Sequence, residues 1–248
     1  MGFKHFIWFI SIGYGFAVSC GSLAILVLAA VKGRLTVLLV FQCLVLFIYG
    51  LRLGLFLYLR ETRNAAYKKT LDSQTGNGKK MPIFVSVFMW VYSAFLYAGE
   101  MSPVFFRNWH GESSGMLPWV GVVVSAIGVA LEALADKQKS EQKAENPGMV
   151  ATKGLYRYTR CPNYFGEILT WTGVFVGGLS ALQGTWEWVI AAVSYVTIFF
   201  IMVNGAQRLE KRQDGRYGDK VEYRDYISQT PILFPFIPVY SLNSKKRS

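Results

Sequence analysis

Apolar residues in this chain come in long unbroken runs rather than at the spacing of an amphipathic helix or strand. Six stretches stand out: Phe6 to Val31, Leu35 to Leu59 with Arg52 inside it, Met81 to Phe106 with Glu100 inside it, Pro118 to Ala135 with Glu132 near its end, Ile168 to Leu182, and Trp188 to Gln207. A helix rising 1.5 Å per residue needs about 20 apolar residues to cross about 30 Å of hydrocarbon. The pattern therefore predicts an all-α, polytopic integral membrane protein with about six transmembrane helices. The first run is too long for the apolar stretch of a signal peptide and is followed by five more, so it reads as a retained helix. Two polar connections interrupt the series. Ser73 to Lys80 is rich in glycine and polar residues and reads as a mobile connector. Asp136 to Pro162 is longer than packed helices need, which makes it the first place to look for chemistry.

Composition narrows the class further. Of 248 residues, 52% are hydrophobic and only 17% charged, against about 25% charged in soluble domains. Such a chain has ample surface to bury, so neither a soluble globule nor a disordered chain fits. Cys20, Cys43 and Cys161 are too few and too scattered for a disulfide framework or a zinc site. His5 and His110 are the only histidines, which leaves little room for a classical histidine metal site. The net charge of +11 is unevenly distributed. The N-terminus, the 60 to 80 loop, the 136 to 162 loop and the C-terminal tail hold 22 Lys and Arg, the opposite loops hold 3, and Arg52 lies within a run. That asymmetry predicts cytoplasmic termini and contact with membrane lipids, and nothing beyond net charge points to nucleic acid. Gly13-Tyr-Gly15 lacks the third glycine of a dinucleotide fingerprint and lies in a membrane run. Walker, G-x-S-x-G and H-E-x-x-H motifs are also missing.

Ionisable groups at membrane depth cost at least about 2.5 kcal/mol on insertion scales, so each needs a partner or a task. Arg52 lies about 10 Å from the cytoplasmic end of its run, with Tyr49 one turn away on the same face. The arginine either snorkels to headgroups or holds an anionic or polar group beside a phenol. Glu132 and Asp136, four residues apart, share a helix face. They either pair with Lys139 and Lys143 at a solvated helix end or form a polar wall for a ribose or an adenine amine. The densest motif is Gly154 to Glu167, GLYRYTRCPNYFGE. Pro162 suits a first helical turn, which sets Asn163 and Glu167 on one face, with Arg157 and Arg160 just before. A helix N-terminus flanked by guanidinium groups favours a bound phosphate. In the tail, Arg208, Lys211, Arg212, Tyr217, Tyr223 and Tyr226 precede an apolar close in which Phe234, Phe236 and Ile237 are expected to fold back, a plausible cover for a cofactor. Glu100 lies towards the other end of its run, and Glu187 is expected to be exposed in a tight turn.

The segment GLYRYTRCPNYFGE, the preceding LEALADKQK with its Asn146-Pro-Gly turn, and the closing E-Y-x-x-Y and P-I-L-F-P resemble the C-terminal region of steroid 5α-reductase-like membrane proteins. The likeness covers about residues 128 to 238. It implies an NADPH-dependent reductase of a carbon–carbon double bond conjugated to a carbonyl in a steroid-like or other lipid. In that family the cofactor cavity opens to the cytoplasm. By position, Asp136, Lys143, Asn163 and Glu167 match cofactor-contacting residues and Glu132 a polar neighbour, with Tyr164 inside the same motif. Tyr49-Gly-Leu-Arg52 looks like the segment supplying a proton-donating tyrosine and a cofactor-contacting arginine. The implied organisation is one membrane domain, 1 to 248. Residues 1 to 127 form the substrate side, 128 to 238 the cofactor-binding region and 239 to 248 a basic tail.

A phenol with a pKa of about 10 is protonated at neutral pH, so Tyr49 could donate to the carbonyl oxygen as an enolate develops. Three departures from the family pattern matter. Residues 1 to 48 contain no Asp or Glu, although steroid reductases pair the tyrosine with an early acid. Cys161 stands where many relatives have His, and the Asn146-Pro-Gly-Met-Val loop lacks a common arginine, leaving Lys153 as a substitute. Two other readings stay open: an S-adenosylmethionine-dependent methyltransferase of isoprenylcysteine or phospholipid type, and a lipid-binding relative without chemistry. The last residues, Lys245-Lys246-Arg247-Ser248, resemble a dilysine retrieval signal and imply the endoplasmic reticulum in a eukaryotic host.

Overall fold

The computed structural model describes residues 12–63, 82–111 and 115–243. The predicted connector at 73 to 80 and the terminal lysines lie outside them. The described elements are α1 (Ile12–Val31), α2 (Val37–Arg63), α3 (Ile83–His110), α4 (Met116–Glu145), a 3-10 turn (Gly154–Arg157), α5 (Pro162–Gly178), a second 3-10 turn (Leu179–Ala181), α6 (Thr185–Tyr217) and α7 (Val221–Gln229). No strand occurs among the described residues. Helices α1, α2, α3, α4 and α6 are long and apolar enough to cross a membrane. The chain is therefore a polytopic helical membrane protein.

Three boundaries differ from the sequence expectation. The predicted run from Ile168 to Leu182 lies on α5 only as far as Gly178, where this helix of 17 residues from Pro162 gives way to the second 3-10 turn. At about 26 Å α5 is only marginally long enough to span. Helix α4 has 30 residues and α6 has 33, about 45 and 50 Å, so both outrun a hydrocarbon core of about 30 Å. Their last turns are polar, yet Lys, Gln, Glu and Arg are good helix formers. The loop expected from Asp136 is consequently helix as far as Glu145, and only residues 146 to 161 connect it to α5.

The chain divides into two compact units: 1 to 122 with 174 to 194, and 123 to 173 with 195 to 248. In the first unit, α1 packs along α2 where three glycines meet. A Cβ at Gly15 would fall 2.5 Å from the Gly54 nitrogen, and one at Gly50 would strike the Gly15 carbonyl and Ser19. Gly50 and Gly54 are spaced as in the small-residue motifs that let membrane helices approach to backbone contact. At the end of α3, three connections are stitched together. Arg34 donates to the Asn108 carbonyl at 3.3 Å and to that of Trp109. Arg107 donates to Ser180 Oγ at 3.0 Å and to the Gly177 carbonyl. His110 Nε2 lies 2.8 Å from Glu187 Oε1. Glu187 is thus partnered rather than exposed, its second oxygen accepting from the Gln183 amide at 2.9 Å.

In the second unit, α4 and α5 also cross on small residues. A Cβ on Gly166 would lie 2.8 Å from both the Gly128 carbonyl and the Glu132 nitrogen, and Ser125 Oγ donates to the Thr170 carbonyl at 2.9 Å. The 146 to 161 connection is pinned by α4. Gln142 Oε1 accepts from the amides of Thr152 and Lys153, both at 2.9 Å, and Gln138 Oε1 accepts from Leu155 at 2.8 Å. Part of the apolar tail folds back as expected. Phe234 stacks on Phe199 and meets Phe165 edge-on, with ring centroids 6.2 and 6.0 Å apart. Phe236 and Ile237 remain exposed.

Candidate functional site

Within the second unit, the face of α4 carrying Glu132 and Asp136 is buried. Because Gly166 has no side chain, the first turns of α5 lie directly against the backbone of Glu132. Asn163 and the buried Glu167 sit on those turns. Asn163 Oδ1 is buried with no hydrogen-bond partner among the described residues, and the same holds for Arg160 Nε and Nη1. A buried acceptor and two buried donors thus lie at the start of one helix, where free amides also point outward. Unmet groups of this kind are rare in native structures.

Phenols line the surroundings. The Tyr164 ring packs 3.5 Å from the Cβ position of Gly205 on α6, and its hydroxyl feels the charges of Arg212, Glu167 and Arg208. Tyr156 donates to the Ala135 carbonyl at 3.3 Å, and Tyr226 donates to the Tyr156 carbonyl at 2.6 Å. Burial raises the pKa of both phenols, with nearby Asp136 adding to the effect at Tyr156. Burial also pushes the Cys161 thiol up to about 12. These groups stay protonated at neutral pH and act as neutral donors rather than bases.

The residues named from sequence fall into three sets. In the second unit, Asp136, Tyr164 and Tyr226 lie near Tyr156, Tyr164 also lies near Glu167, Arg208 and Arg212, Glu132 meets α5 at Gly166, and Asn163 precedes Tyr164 on the same turn; the side chains of Arg157, Arg208 and Arg212 are exposed. Lys143, Arg160 and Tyr223 are committed to protein partners. Lys143 Nζ donates to the Met149 carbonyl at 2.5 Å, the Pro147 carbonyl at 3.1 Å and Tyr217 at 2.9 Å. Arg160 pairs with Glu210 at 2.9 Å, both side chains almost fully buried, and donates to the Tyr240 carbonyl at 2.6 Å. Tyr223 donates to Asp214 Oδ1 at 2.6 Å. Lys143 and Tyr223 thus clasp the loop and α7, and Arg160 offers a ligand only its remaining nitrogens.

The third set, Tyr49 and Arg52, belongs to the first unit. Tyr49 is completely buried and donates to the Tyr14 hydroxyl at 3.0 Å, while Arg52 is half-buried. Sequence reasoning missed Tyr14, Tyr156 and Glu210. A signal for Tyr14 was present, since Tyr14-Gly15 and Tyr49-Gly50 place the same dipeptide in two helices. Nothing in the order of residues marks Glu210 as the partner of Arg160.

The model of a family described as "Protein of unknown function (DUF1295)" matches residues 4–230. The chain belongs to this family. It is also 27% identical over 190 residues to a curated protein, the steroid 5-alpha-reductase DET2 of Gossypium hirsutum, covering 73% of this chain and 67% of the relative. No solved structure matches. The chain is thus a DUF1295 membrane protein related at a distance to a steroid 5-alpha-reductase.

Proposed function

We propose that this chain is a membrane-embedded, NADPH-dependent reductase of a carbon–carbon double bond conjugated to a carbonyl in a steroid-like or other lipid. The observation that carries the reading is the buried acceptor Asn163 Oδ1 at the first turn of α5, without a protein donor among the described residues. A ribose hydroxyl or an amine of a dinucleotide would satisfy it. Glu132, Asp136 and Glu167 offer further acceptors nearby, Tyr156 and Tyr226 neutral phenols, and Arg160 its unmet nitrogens. The exposed Arg157, Arg208 and Arg212 suit phosphate groups, including a 2′-phosphate. The residues present therefore fit a nicotinamide dinucleotide phosphate, which when bound supplies hydride for the β-carbon.

Tyr49 gives up its proton to the carbonyl oxygen, where negative charge develops. Its complete burial keeps water from that phenol. Cytoplasmic termini belong to the same proposal, supported by the distribution of Lys and Arg.

Thermal unfolding of the detergent-purified protein with NADPH, NADH and S-adenosylmethionine tests the cofactor. At 100 times its dissociation constant a ligand stabilises by about 2.7 kcal/mol. NADPH is expected to give that shift, NADH a smaller one, and Asn163→Ala to abolish both. A shift with S-adenosylmethionine alone would replace this reading with a methyltransferase.

A further inference from the structure

The first unit pairs Tyr49 with a second phenol, Tyr14, that no sequence motif assigns. Tyr14 on α1 and Tyr49 on α2 are both buried, and their hydroxyls lie 3.0 Å apart with Tyr49 donating. Their rings meet edge-on with centroids 6.1 Å apart, and Tyr14 also packs on Tyr97 at 4.8 Å. The contact follows from the glycine crossing, because each tyrosine directly precedes a glycine at which the helices touch. A Cβ on Gly15 or Gly50 would force the helices apart and separate the hydroxyls.

We infer that Tyr14 is the positioning residue for Tyr49, doing with a neutral phenol what an early carboxylate would do. This rests on the reductase reading, and it accounts for a chain with no Asp or Glu before residue 49. A hydroxyl carries one proton and can accept as well as donate. The pair can therefore reverse its shared hydrogen bond when a substrate carbonyl takes the Tyr49 proton. The hydride for the new C–H bond at the β-carbon would be supplied by a bound nicotinamide dinucleotide. The π electrons of the double bond shift towards the carbonyl carbon and the carbonyl π pair moves onto oxygen. That oxygen takes the Tyr49 proton to give an enol, while Tyr14 O–H turns to donate to the phenolate left behind. The proton consumed in the reaction comes from bulk solvent and restores Tyr49 once the product has left, and the enol tautomerises to the saturated carbonyl compound. A pair of phenols carries no charge at neutral pH, so the substrate it suits is a neutral enone.

Two measurements on the full-length protein test the role. The first is NADPH oxidation with 4-androstene-3,17-dione and with a long-chain alkyl enone, comparing wild type, Tyr14→Phe and Tyr49→Phe. Tyr14→Phe keeps both ring contacts and removes only the hydroxyl. A hydrogen bond to a charged oxygen is worth roughly 10- to 100-fold in rate. The variant is expected to lose that factor in kcat, with KM for NADPH and enone within about twofold and an unchanged NADPH thermal shift. The second is the 19F resonance of 3-fluorotyrosine placed at position 49, expected to move on Tyr14→Phe. Wild-type kcat in Tyr14→Phe, or an unmoved resonance, would overturn the positioning role while leaving the reductase reading intact. A moved resonance in a wild-type protein that reduces neither enone would overturn the reductase reading, and the positioning role with it.

Discussion

The α1–α2 crossing of the first unit and the polar helix ends of the second are held by opposite means. In the first, α1 and α2 come together by leaving side chains out, at Gly15, Gly50 and Gly54. Lipid tails are as apolar as leucine, so helices within a bilayer gain little by burying apolar surface and rely on close contact. In the second unit, the projecting ends of α4 and α6 hold a loop, a short helix and a tail by adding polar side chains, among them Gln138, Gln142, Lys143 and Glu210, which pairs with Arg160 of the loop. The α1–α2 crossing should therefore be damaged most by gaining a methyl group, and the polar ends of α4 and α6 by losing a single polar group.

The largest effect is expected at Glu210. One of its oxygens pairs with Arg160, and the other accepts from the Leu242 amide and Asn243 Nδ2, both at 2.9 Å. Glu210→Ala leaves a buried guanidinium without its counter-charge, which costs about 3–5 kcal/mol. Denaturant unfolding should register that loss, and limited proteolysis should cut the chain near residue 240. Replacing both partners, with Arg160→Met and Glu210→Leu, should recover much of the stability, because no charge is then stranded. A double variant no better than the single one would contradict the ion pair as the cause.

Gly50→Ala is the matching change in the first unit. Its Cβ would meet the Gly15 carbonyl and the Ser19 backbone, neither of which can swing aside. Overpacking of this kind costs typically about 1–3 kcal/mol, which should appear as a lower melting temperature in detergent. Gly205→Ala makes a useful comparison, since its Cβ would lie at ordinary contact distance from the Tyr164 ring and should be nearly silent. Equal effects at the two positions would mean that the α1–α2 approach is not tight.

How much of this was legible in the order of residues depended on the kind of interaction. Hydropathy gave the membrane helices, because crossing lipid demands long apolar runs in sequence. It missed the ends of α4 and α6, since the same helix continues into water on residues that hydropathy scores as loop. Pro162 marked the start of α5 because proline suits a first turn. Partners between elements stayed hidden. Arg160 read as a phosphate ligand, yet most of its bonding goes to Glu210 and the tail, about 50 and 80 residues away. Tyr14 was passed over inside a failed dinucleotide fingerprint, because only the fold sets it against Tyr49.

A smaller effect is expected at Gln142, which spans the loop by accepting from two amides and donating to the Lys153 carbonyl at 3.1 Å. The groups released by Gln142→Ala lie near solvent and can turn to water. The net cost is therefore about 1 kcal/mol, too little to unfold the unit. Hydrogen exchange should show it better than melting, with faster exchange of the Thr152 and Lys153 amides and little change in α4. Unchanged protection there would mean that the loop is held from elsewhere.

The last effect is a dependence on pH. Burial pushes the Cys161 thiol from 9.0 up to about 12, so the folded state holds a proton that the unfolded state releases first. Its contribution to stability is complete below pH 9 and declines as pH climbs towards the folded value, by at most about 1.4 kcal/mol per unit. Tyr156, Tyr223 and Tyr226 are shifted upward as well, so the slope of the wild type alone mixes several groups. Subtracting the Cys161→Ala variant removes the phenols common to both. Wild type should lose stability relative to the variant between pH 7.5 and pH 10, whereas a constant difference would mean that the thiol is not held protonated by burial.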